Sequence, residues 1–239
     1  EERLVAIPQI LQDRPQTDVI ILDDAFQHRS VKAGLNILLT EQKDLYTRDL
    51  LLPAGDLRDV RSSAKRAEII IVTKCKPALT ATEKSELLEE LDPLPHQTVY
   101  FTEIQYGRPY HLFSKKEINF THSADILLVC GIANPGPLKE YLSNSVHSYD
   151  MLRYADHHIF DSDDLKEIKK QFAKMRSSEK LILTTEKDGV RMKKFESELA
   201  EFPLYVLPIR HHFLFGEEDK FKNQVVDFIR SYKKDSITD

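Results

Sequence analysis

Two adjacent carboxylates, Asp23 and Asp24, directly follow a run of four apolar residues at 19–22. A short apolar run predicts a buried strand over 18–22, and the residues that follow a strand of a parallel sheet lie at its ligand crevice. An Asp at the end of such a strand is typical of the Walker B motif, in which it helps to hold Mg²⁺ beside a phosphate. The alternative is that both carboxylates only cap a turn, and the pattern alone does not decide between the two.

Three other stretches place cations or turn residues where a phosphate can bind. Arg58 follows the Pro/Gly turn of 51–57, and a guanidinium matches phosphate oxygens bidentately, although a solvated basic face is an equal alternative. Lys74 directly follows the apolar run 68–73. The segment 130–136 forms a Gly–Asn–Pro turn whose backbone N–H groups favour anions, but a simple turn is the commoner outcome for such a loop.

A pair of histidines in 154–165 follows an acid. Asp156 precedes His157 and His158, and an Asp–His pair can orient an imidazole for proton transfer or bind a metal. Because adjacent side chains of an extended backbone point to opposite sides, we do not expect the two histidines to share one metal ion. A purely structural histidine is the alternative. The stretch 183–192 is similar, with Lys187 and Asp188 opening a helix after a strand.

These residues depend on strands and helices that alternate along the chain. We predict helices over 1–14, 80–91, 136–143, 162–175, 186–195 and 217–233, and strands over 18–22, 35–40, 68–73, 97–104, 125–130, 146–152, 180–184 and 203–208. The stretch 106–113 has turn residues between two β-rich arms and is predicted to be a hairpin or a hinge. Short apolar runs that alternate with helices indicate an α/β fold with parallel sheets covered on both faces.

Composition narrows the functional class. The chain has 239 residues, enough for one large or two small domains, and a formal net charge of −5, which argues against a nucleic-acid partner. Cys75 and Cys130 end apolar runs and are predicted to be reduced core thiols. The seven glycines do not form the phosphate-binding loop G-x-x-x-x-G-K-[ST]. Either the protein is no P-loop enzyme, or this loop lies before Glu1, where the chain begins without Met.

Several motifs resemble one family in the same order along nearly the whole chain. They are LDDAFQHR, NILLT, LYTRDLLLPAGDLRD, RAEIIIVTK, GIANP, ADHHIF and LTTEKDGVRM. Together they resemble tetraacyldisaccharide 4'-kinase, the lipid A 4'-kinase of Gram-negative bacteria. The resemblance implies a P-loop NTPase-like parallel sheet core over 1–103, without its Walker A part, a β-strand hinge over 104–120, and a smaller C-terminal α/β domain over 121–239.

The resemblance also implies an activity. It implies transfer of the γ-phosphoryl group of ATP, with Mg²⁺, to the 4'-hydroxyl of an acylated glucosamine disaccharide 1-phosphate lipid. Family members begin with a membrane-associated segment, the Walker A loop and a stretch that carries the Asp proposed as the base, and all of these are expected before Glu1. The enzyme is then expected at the cytoplasmic face of the inner membrane, while this fragment is expected to be soluble and inactive by itself.

The family's roles carry over to five residues of the first half of the chain. Asp23 is expected to bind Mg²⁺, and Asp24 is expected to bind the metal or to order the reacting hydroxyl. Gln27 and His28 are expected to line the same crevice. Arg58 is expected to neutralise charge on the transferred phosphoryl group.

Three further roles carry over. His157 is expected to orient the catalytic Asp, with Asp156 as its support, and Lys74 is expected to contact the nucleotide base. One position departs from the family, because Ala25 stands where the family has Gly. A side chain there disfavours a positive φ, which puts the backbone of the loop in question.

Two alternatives of other classes stay open at the level of sequence. One is a non-catalytic nucleotide-binding module. The other is a metal-dependent phosphohydrolase, which would use the acids and histidines Asp23, Asp24, Asp156, His157 and His158.

Overall fold

The computed structural model describes residues 3–232 and divides into two compact units. Residues up to Ile104, together with those from His211 onward, form what we call the split unit. Gln105–Arg210 form the inserted unit. The predicted C-terminal domain over 121–239 therefore differs from the structure, because the last part of the chain returns to the first unit.

Helices and strands alternate along the described residues, as predicted. In chain order the elements are α1 (Arg3–Asp13), β1 (Ile37–Glu41), β2 (Ile69–Thr73), α2 (Ala81–Leu91), β3 (Thr98–Tyr106), β4 (Tyr110–His111), β5 (Asp125–Cys130), α3 (Gly136–Ser145), β6 (Ser148–Arg153), α4 (Ser162–Lys174), β7 (Lys180–Thr185), α5 (Glu186–Met192), α6 (Glu196–Leu199), β8 (Leu204–Leu207), β9 (Ile209–Phe213) and α7 (Glu218–Ser231).

The split unit contains a four-stranded sheet in the order β1-β2-β3-β9, in which β1, β2 and β3 run parallel. Every residue of β2 is buried, as a continuous apolar run predicts for a strand covered on both faces. Helix α7 packs on this sheet, because Phe221 and Val225 lie one turn apart and meet Tyr100 of β3. The Tyr100 hydroxyl also donates a 2.7 Å hydrogen bond to Gln224. This packing explains why the C-terminal helix belongs to the split unit.

The strand predicted over 18–22 is wrong. These residues form no strand ladder, and the side chain of Ile21 is 89% exposed. A strand exists only where a neighbouring strand supplies hydrogen-bond partners, and no strand among residues 3–232 pairs with this run. Asp23 and Asp24 therefore follow an irregular segment that lies outside the sheet.

The inserted unit contains a five-stranded sheet in the order β4-β8-β7-β5-β6, parallel except for β4 against β8. Because β5, β6 and β7 run parallel, their carboxyl ends lie at one edge. The two buried faces are covered by α3, through Leu138 and Leu142, and by α4, through Leu165 and Ile168. The carboxyl edge of this sheet carries the second group of predicted site residues.

The α/β class with parallel sheets is confirmed, while three local predictions differ from the structure. The hairpin interpretation of 106–113 is wrong, since β3 and β4 belong to different sheets. The helix predicted over 186–195 ends as α5 at Met192 and continues as a 3-10 turn, Lys193–Phe195. Strand β9 was not predicted, because residues 209–213 carry polar side chains and are mostly exposed. Within residues 3–232, no helix is long and apolar enough to cross a membrane.

Candidate active site

The first group of predicted site residues lies on a turn in the split unit. Asp24 has a positive φ of 47°, a conformation that Asp tolerates better than most residues. The turn closes where the backbone N–H of His28 donates to the carbonyl of Ala25 at 2.9 Å, and Arg3 donates to the carbonyl of Asp23 at 3.1 Å. Asp24, and not Ala25, thus takes the left-handed backbone, so the methyl group of Ala25 is accommodated.

Asp24 and Arg58 form a bidentate ion pair. One guanidinium nitrogen of Arg58 donates to Oδ2 of Asp24 at 3.1 Å and the other donates to Oδ1. The hydrogen bond from Arg58 is the main cause that lowers the pKa of Asp24, and Gln27 lowers it further. The same pairing raises the pKa of Arg58. The two side chains are 63% and 55% exposed, so a ligand can reach both.

The loop before Arg58 is closed tightly. The backbone N–H of Leu52 donates to the carbonyl of Leu57, and that of Leu57 donates to the carbonyl of Leu50, both at 3.0 Å. A Cβ at Gly55 would lie 2.2 Å from Oδ1 of Asp49 and 2.4 Å from the carbonyl oxygen of Leu50, so only glycine fits there. The turn of 51–57 therefore has a physical requirement for Gly55, and it aims Arg58 toward Asp24.

Sequence reasoning missed a second ion pair that fixes the same turn. Asp59 accepts hydrogen bonds from Arg29 at 2.8 Å and from Arg66 at 3.1 Å. Hydrogen bonds from Ser63 and then Arg29 lower the pKa of Asp59. The guanidinium of Arg66 also lies 4.6 Å above the ring of Phe26. The only signal in the sequence was the density of arginines around 58–66, which does not reveal these partners.

The acids of this turn fit a magnesium ion. The carboxylate of Asp23 makes no hydrogen bond or ion pair with the rest of 3–232, and the carboxylate of Asp24, the next residue, is held by Arg58 through both oxygens. Mg²⁺ takes oxygen ligands and commonly uses one or two carboxylates together with water and substrate phosphates. Within 3–232, no three His, Cys, Asp or Glu side chains form a group that could hold a metal by themselves.

Lys74 and His28 make no contact with the Asp24–Arg58 pair among the hydrogen bonds and ion pairs of residues 3–232. Lys74 has a positive φ of 51° and pairs with Glu41, which ends β1. This contact joins the carboxyl ends of β1 and β2, where ligands of parallel sheets bind. The side chain of His28 is exposed on the turn that also carries Gln27.

The second group lies at the carboxyl ends of β5, β6 and β7 in the inserted unit. His157 has a positive φ of 62°, and its side chain is 75% exposed. Asp156 accepts a hydrogen bond from the backbone N–H of His157 at 2.9 Å and one from Lys187 at 2.6 Å. The bond from Lys187 is the main cause that lowers the pKa of Asp156. Asp156 thus contacts the backbone of His157, while its carboxylate lies 3.7 Å from Nε2 of the imidazole.

Two residues of the 183–192 stretch complete this group. Asp188 is fully buried and accepts hydrogen bonds from the backbone N–H of Gly131 at 2.9 Å and from the hydroxyl of Thr185 at 2.8 Å. Arg191 contacts Asp188 at 3.4 Å and Nδ1 of His157 at 3.2 Å. Arg191 was not predicted as a site residue. Helical spacing from Asp188 was the signal that could have identified it.

His158 turns away from this group, although residues 156–157 form a turn with left-handed backbone at His157 and not the extended backbone that the prediction assumed. Its ring stacks on Tyr154 with 4.6 Å between ring centroids, and Nε2 lies 2.7 Å from Oδ2 of Asp164. Burial raises the pKa of the Tyr154 hydroxyl to about 12. Asp164 in turn accepts from the backbone N–H of Asp161 at the start of α4. His158 therefore anchors α4 and does not face the candidate site.

Comparison with known proteins identifies the family. A family model described as tetraacyldisaccharide-1-P 4'-kinase, LpxK, matches residues 1–230. The chain belongs to this family. The LpxK family assignment confirms the resemblance that the motifs indicated.

Individual relatives support the same family assignment. The tetraacyldisaccharide 4'-kinase of Bacteroides thetaiotaomicron is 38% identical across 99% of this chain and 66% of its own length. The tetraacyldisaccharide 4'-kinase of Phocaeicola vulgatus is 40% identical across 93% of this chain and 62% of its own length. The chain thus spans about two thirds of the length of these curated relatives.

A solved structure shows the same fold. The crystal structure of LpxK from Aquifex aeolicus in complex with ATP superposes with a TM-score of 0.61 at 20% sequence identity. The match covers 92% of this chain and 61% of that one. The α/β architecture of an LpxK-family protein is therefore established for this chain.

Proposed function

We propose that this chain belongs to an ATP-dependent kinase that phosphorylates the 4'-hydroxyl of tetraacyldisaccharide 1-phosphate in lipid A biosynthesis. The family match over residues 1–230 carries the proposal. The substrate is an acylated glucosamine disaccharide lipid, so we place the enzyme at the cytoplasmic face of the inner membrane. A segment outside this chain makes the membrane contact.

The acids of the split unit hold the metal in this proposal. Asp23 binds Mg²⁺, directly or through water, and Asp24 contributes to the same site. Mg²⁺ held by these acids would supply positive charge beside the phosphate oxygens. Lys74 contacts the nucleotide base, and Gln27 and His28 line the crevice beside the metal.

Arg58 changes partner when the substrate binds. In the structure its guanidinium holds Asp24, and both side chains are more than half exposed. An exposed ion pair contributes only about 0–1 kcal/mol, so a phosphoryl group with more charge can draw Arg58 away at little cost. Arg58 would then neutralise charge on the transferred phosphoryl group, and the freed Asp24 carboxylate would be one of the residues that hold Mg²⁺.

His157 acts on the acceptor side. It orients the carboxylate that accepts the proton of the 4'-hydroxyl, and Asp156 supports the loop that carries it. Phosphoryl transfer depends on positioning and on cations more than on covalent chemistry, and a positioned carboxylate is the part that His157 contributes in this proposal.

The 239-residue chain alone is not expected to catalyse transfer, because it contains no G-x-x-x-x-G-K-[ST] loop to hold the phosphates of ATP. The test incubates the chain with ATP, Mg²⁺ and tetraacyldisaccharide 1-phosphate. Formation of the 4'-phosphorylated lipid by this chain would refute the statement.

The main experiment uses the product of the full gene with the same substrates. We expect 4'-phosphorylation, and we expect Asp23→Asn to lower the rate and to raise the Mg²⁺ concentration that the reaction needs. Asp18→Asn is the matched control, since Asp18 is an exposed acid of the same segment, and it should leave both quantities unchanged. Absence of 4'-phosphorylation would overturn the proposed function. An unchanged Mg²⁺ titration in Asp23→Asn would remove Asp23 as a ligand.

A further inference from the structure

The two ring nitrogens of His157 face different partners. Nδ1 lies 3.2 Å from a guanidinium nitrogen of Arg191. Nε2 lies 3.4 Å from Nζ of Lys187 and 3.7 Å from Oδ2 of Asp156. Since a neutral imidazole has one donor and one acceptor nitrogen, these partners decide which nitrogen carries the proton.

Arg191 favours one of the two tautomers. A guanidinium stays protonated in proteins and has no acceptor atom, so it can only donate. A proton on Nδ1 would face an N–H group of Arg191 across 3.2 Å. The favourable arrangement leaves the lone pair on Nδ1, where it accepts from Arg191, and places the proton on Nε2.

Lys187 is the weaker constraint on the ring. Its short bond, 2.6 Å, runs to Oδ1 of Asp156, whereas its 3.4 Å distance to Nε2 is long for a hydrogen bond. The ammonium group rotates freely and can direct its hydrogens to the carboxylate. Oδ2 of Asp156, at 3.7 Å from Nε2, favours a proton on that nitrogen electrostatically.

Asp188 holds Arg191 in this position. The carboxylate is fully buried and is fixed by Gly131 and Thr185, with Arg191 as its cation at 3.4 Å. A Cβ at Gly131 would lie 2.8 Å from the carbonyl oxygen of Ala155, so the backbone is tightly packed here. Because a buried carboxylate without its cation is strongly destabilising, Arg191 does not easily turn away from Asp188 and His157.

From this geometry we propose that Arg191, held by Asp188, is a positioning residue that fixes His157 as the tautomer with its proton on Nε2. His157 then offers a hydrogen-bond donor at Nε2, and a carboxylate is the group that such a donor orients. The inference rests on the proposed function for the catalytic use of that carboxylate, but the tautomer itself does not depend on it.

The test is a long-range ¹H–¹⁵N correlation spectrum of the 239-residue chain labelled with ¹⁵N-histidine, in alkaline buffer that keeps imidazoles neutral. His157→Gln assigns the signals of His157 by their loss. We expect a protonated Nε2 and an unprotonated Nδ1 in the unsubstituted chain. Arg191→Met, which keeps the length but removes the donors, should shift His157 toward a mixture of tautomers. Arg176→Met, at an exposed arginine of the same unit, should leave the spectrum unchanged.

His158 reports whether the variants are folded, because its ring nitrogen is tied to Asp164 in the same unit. A protonated Nδ1 on His157 of the unsubstituted chain would overturn the inference, even if Arg191→Met failed to fold. Unchanged His157 signals in folded Arg191→Met would overturn it as well.

Kinetics of the full gene product separate this inference from the proposed function. Arg191→Met should lower kcat and leave the KM for ATP unchanged, whereas a merely structural arginine would lower only the amount of folded enzyme. A gene product that transfers no phosphoryl group overturns the proposed function, while the spectrum, which needs no substrate, still decides the tautomer. Full kcat in folded Arg191→Met would overturn the positioning role.

Discussion

Two adjacent histidines provide a matched pair of substitutions with opposite expected effects. His158→Ala removes a 2.7 Å contact with the Asp164 carboxylate and two aromatic contacts, with Tyr154 and Phe160. A hydrogen bond to a charged group contributes about 1.5–3 kcal/mol and an aromatic pair about 0.5–1.5 kcal/mol. Since the His158 side chain is 28% exposed, we expect a loss of about 2–4 kcal/mol in the free energy of unfolding.

His157→Ala should instead affect the reaction. Its side chain is 75% exposed, and alanine keeps the same Cβ at the positive φ, so we expect a stability change within about 0.5 kcal/mol. In the full gene product the single-turnover rate should fall by about 10²–10⁴-fold, the usual contribution of a positioned acid–base group. Nucleotide affinity should barely change.

The assay combines two measurements on both variants. Urea unfolding of the 239-residue chain, followed by circular dichroism, gives the stability change, and single-turnover transfer with ATP affinity in the full gene product gives the catalytic change. A near-normal rate in folded His157→Ala would refute the catalytic assignment of His157. Unchanged stability of His158→Ala would refute the structural assignment of His158.

Three further predictions concern stability. Asp161→Ala should lower the urea midpoint, since Asp161 accepts two backbone N–H bonds at the start of α4. Those bonds lower the pKa of Asp161 in the folded protein. Its contribution to the free energy of unfolding is therefore present above the usual carboxyl pKa of 3.8 and is lost as the pH falls through the lowered pKa. Urea midpoints measured against pH test this. Burial raises the pKa of Cys75 to about 11, so the thiol of the native protein should react slowly with iodoacetamide. The free energy of unfolding should fall as the pH rises from 9.0 to about 11, because the unfolded chain loses this proton first. The fall should be smaller in Cys75→Val. Gly55→Ala should lower the free energy of unfolding by about 1–3 kcal/mol, because its Cβ would lie 2.4 Å from a backbone oxygen. A urea midpoint equal to that of the unsubstituted chain would show that the loop has room for a Cβ.

The local sequence predicted the regular elements well where the pattern was strong. The apolar runs 68–73 and 125–130 became β2 and β5, because a continuous apolar run can only be buried between two covered faces. The helix predicted over 80–91 formed as α2, since the capping box of Thr80 and Glu83 depends only on residues a few positions apart. The motifs alone were sufficient to indicate the family, which the comparisons confirmed.

Tertiary structure decided what depends on distant partners. The run 18–22 has the same apolar pattern as β2 but forms no strand, because pairing requires a neighbour that the local sequence does not specify. The apolar stripe of α7 could cover any sheet face, and only packing on Tyr100 assigns it to the split unit.

For the candidate site residues, too, local sequence decided some features and tertiary structure decided others. The sequence alone singled out Asp24, Arg58 and the stretch with Asp156, His157 and His158 by residue type and position, and the family resemblance selected His157 from it. Their partners could not be predicted, since Arg58 pairs with Asp24 across 34 positions and Arg191 reaches His157 across 34 positions. Such ion pairs form only after the chain has folded, because the low dielectric and fixed geometry that select one partner among many charges do not exist in the extended chain.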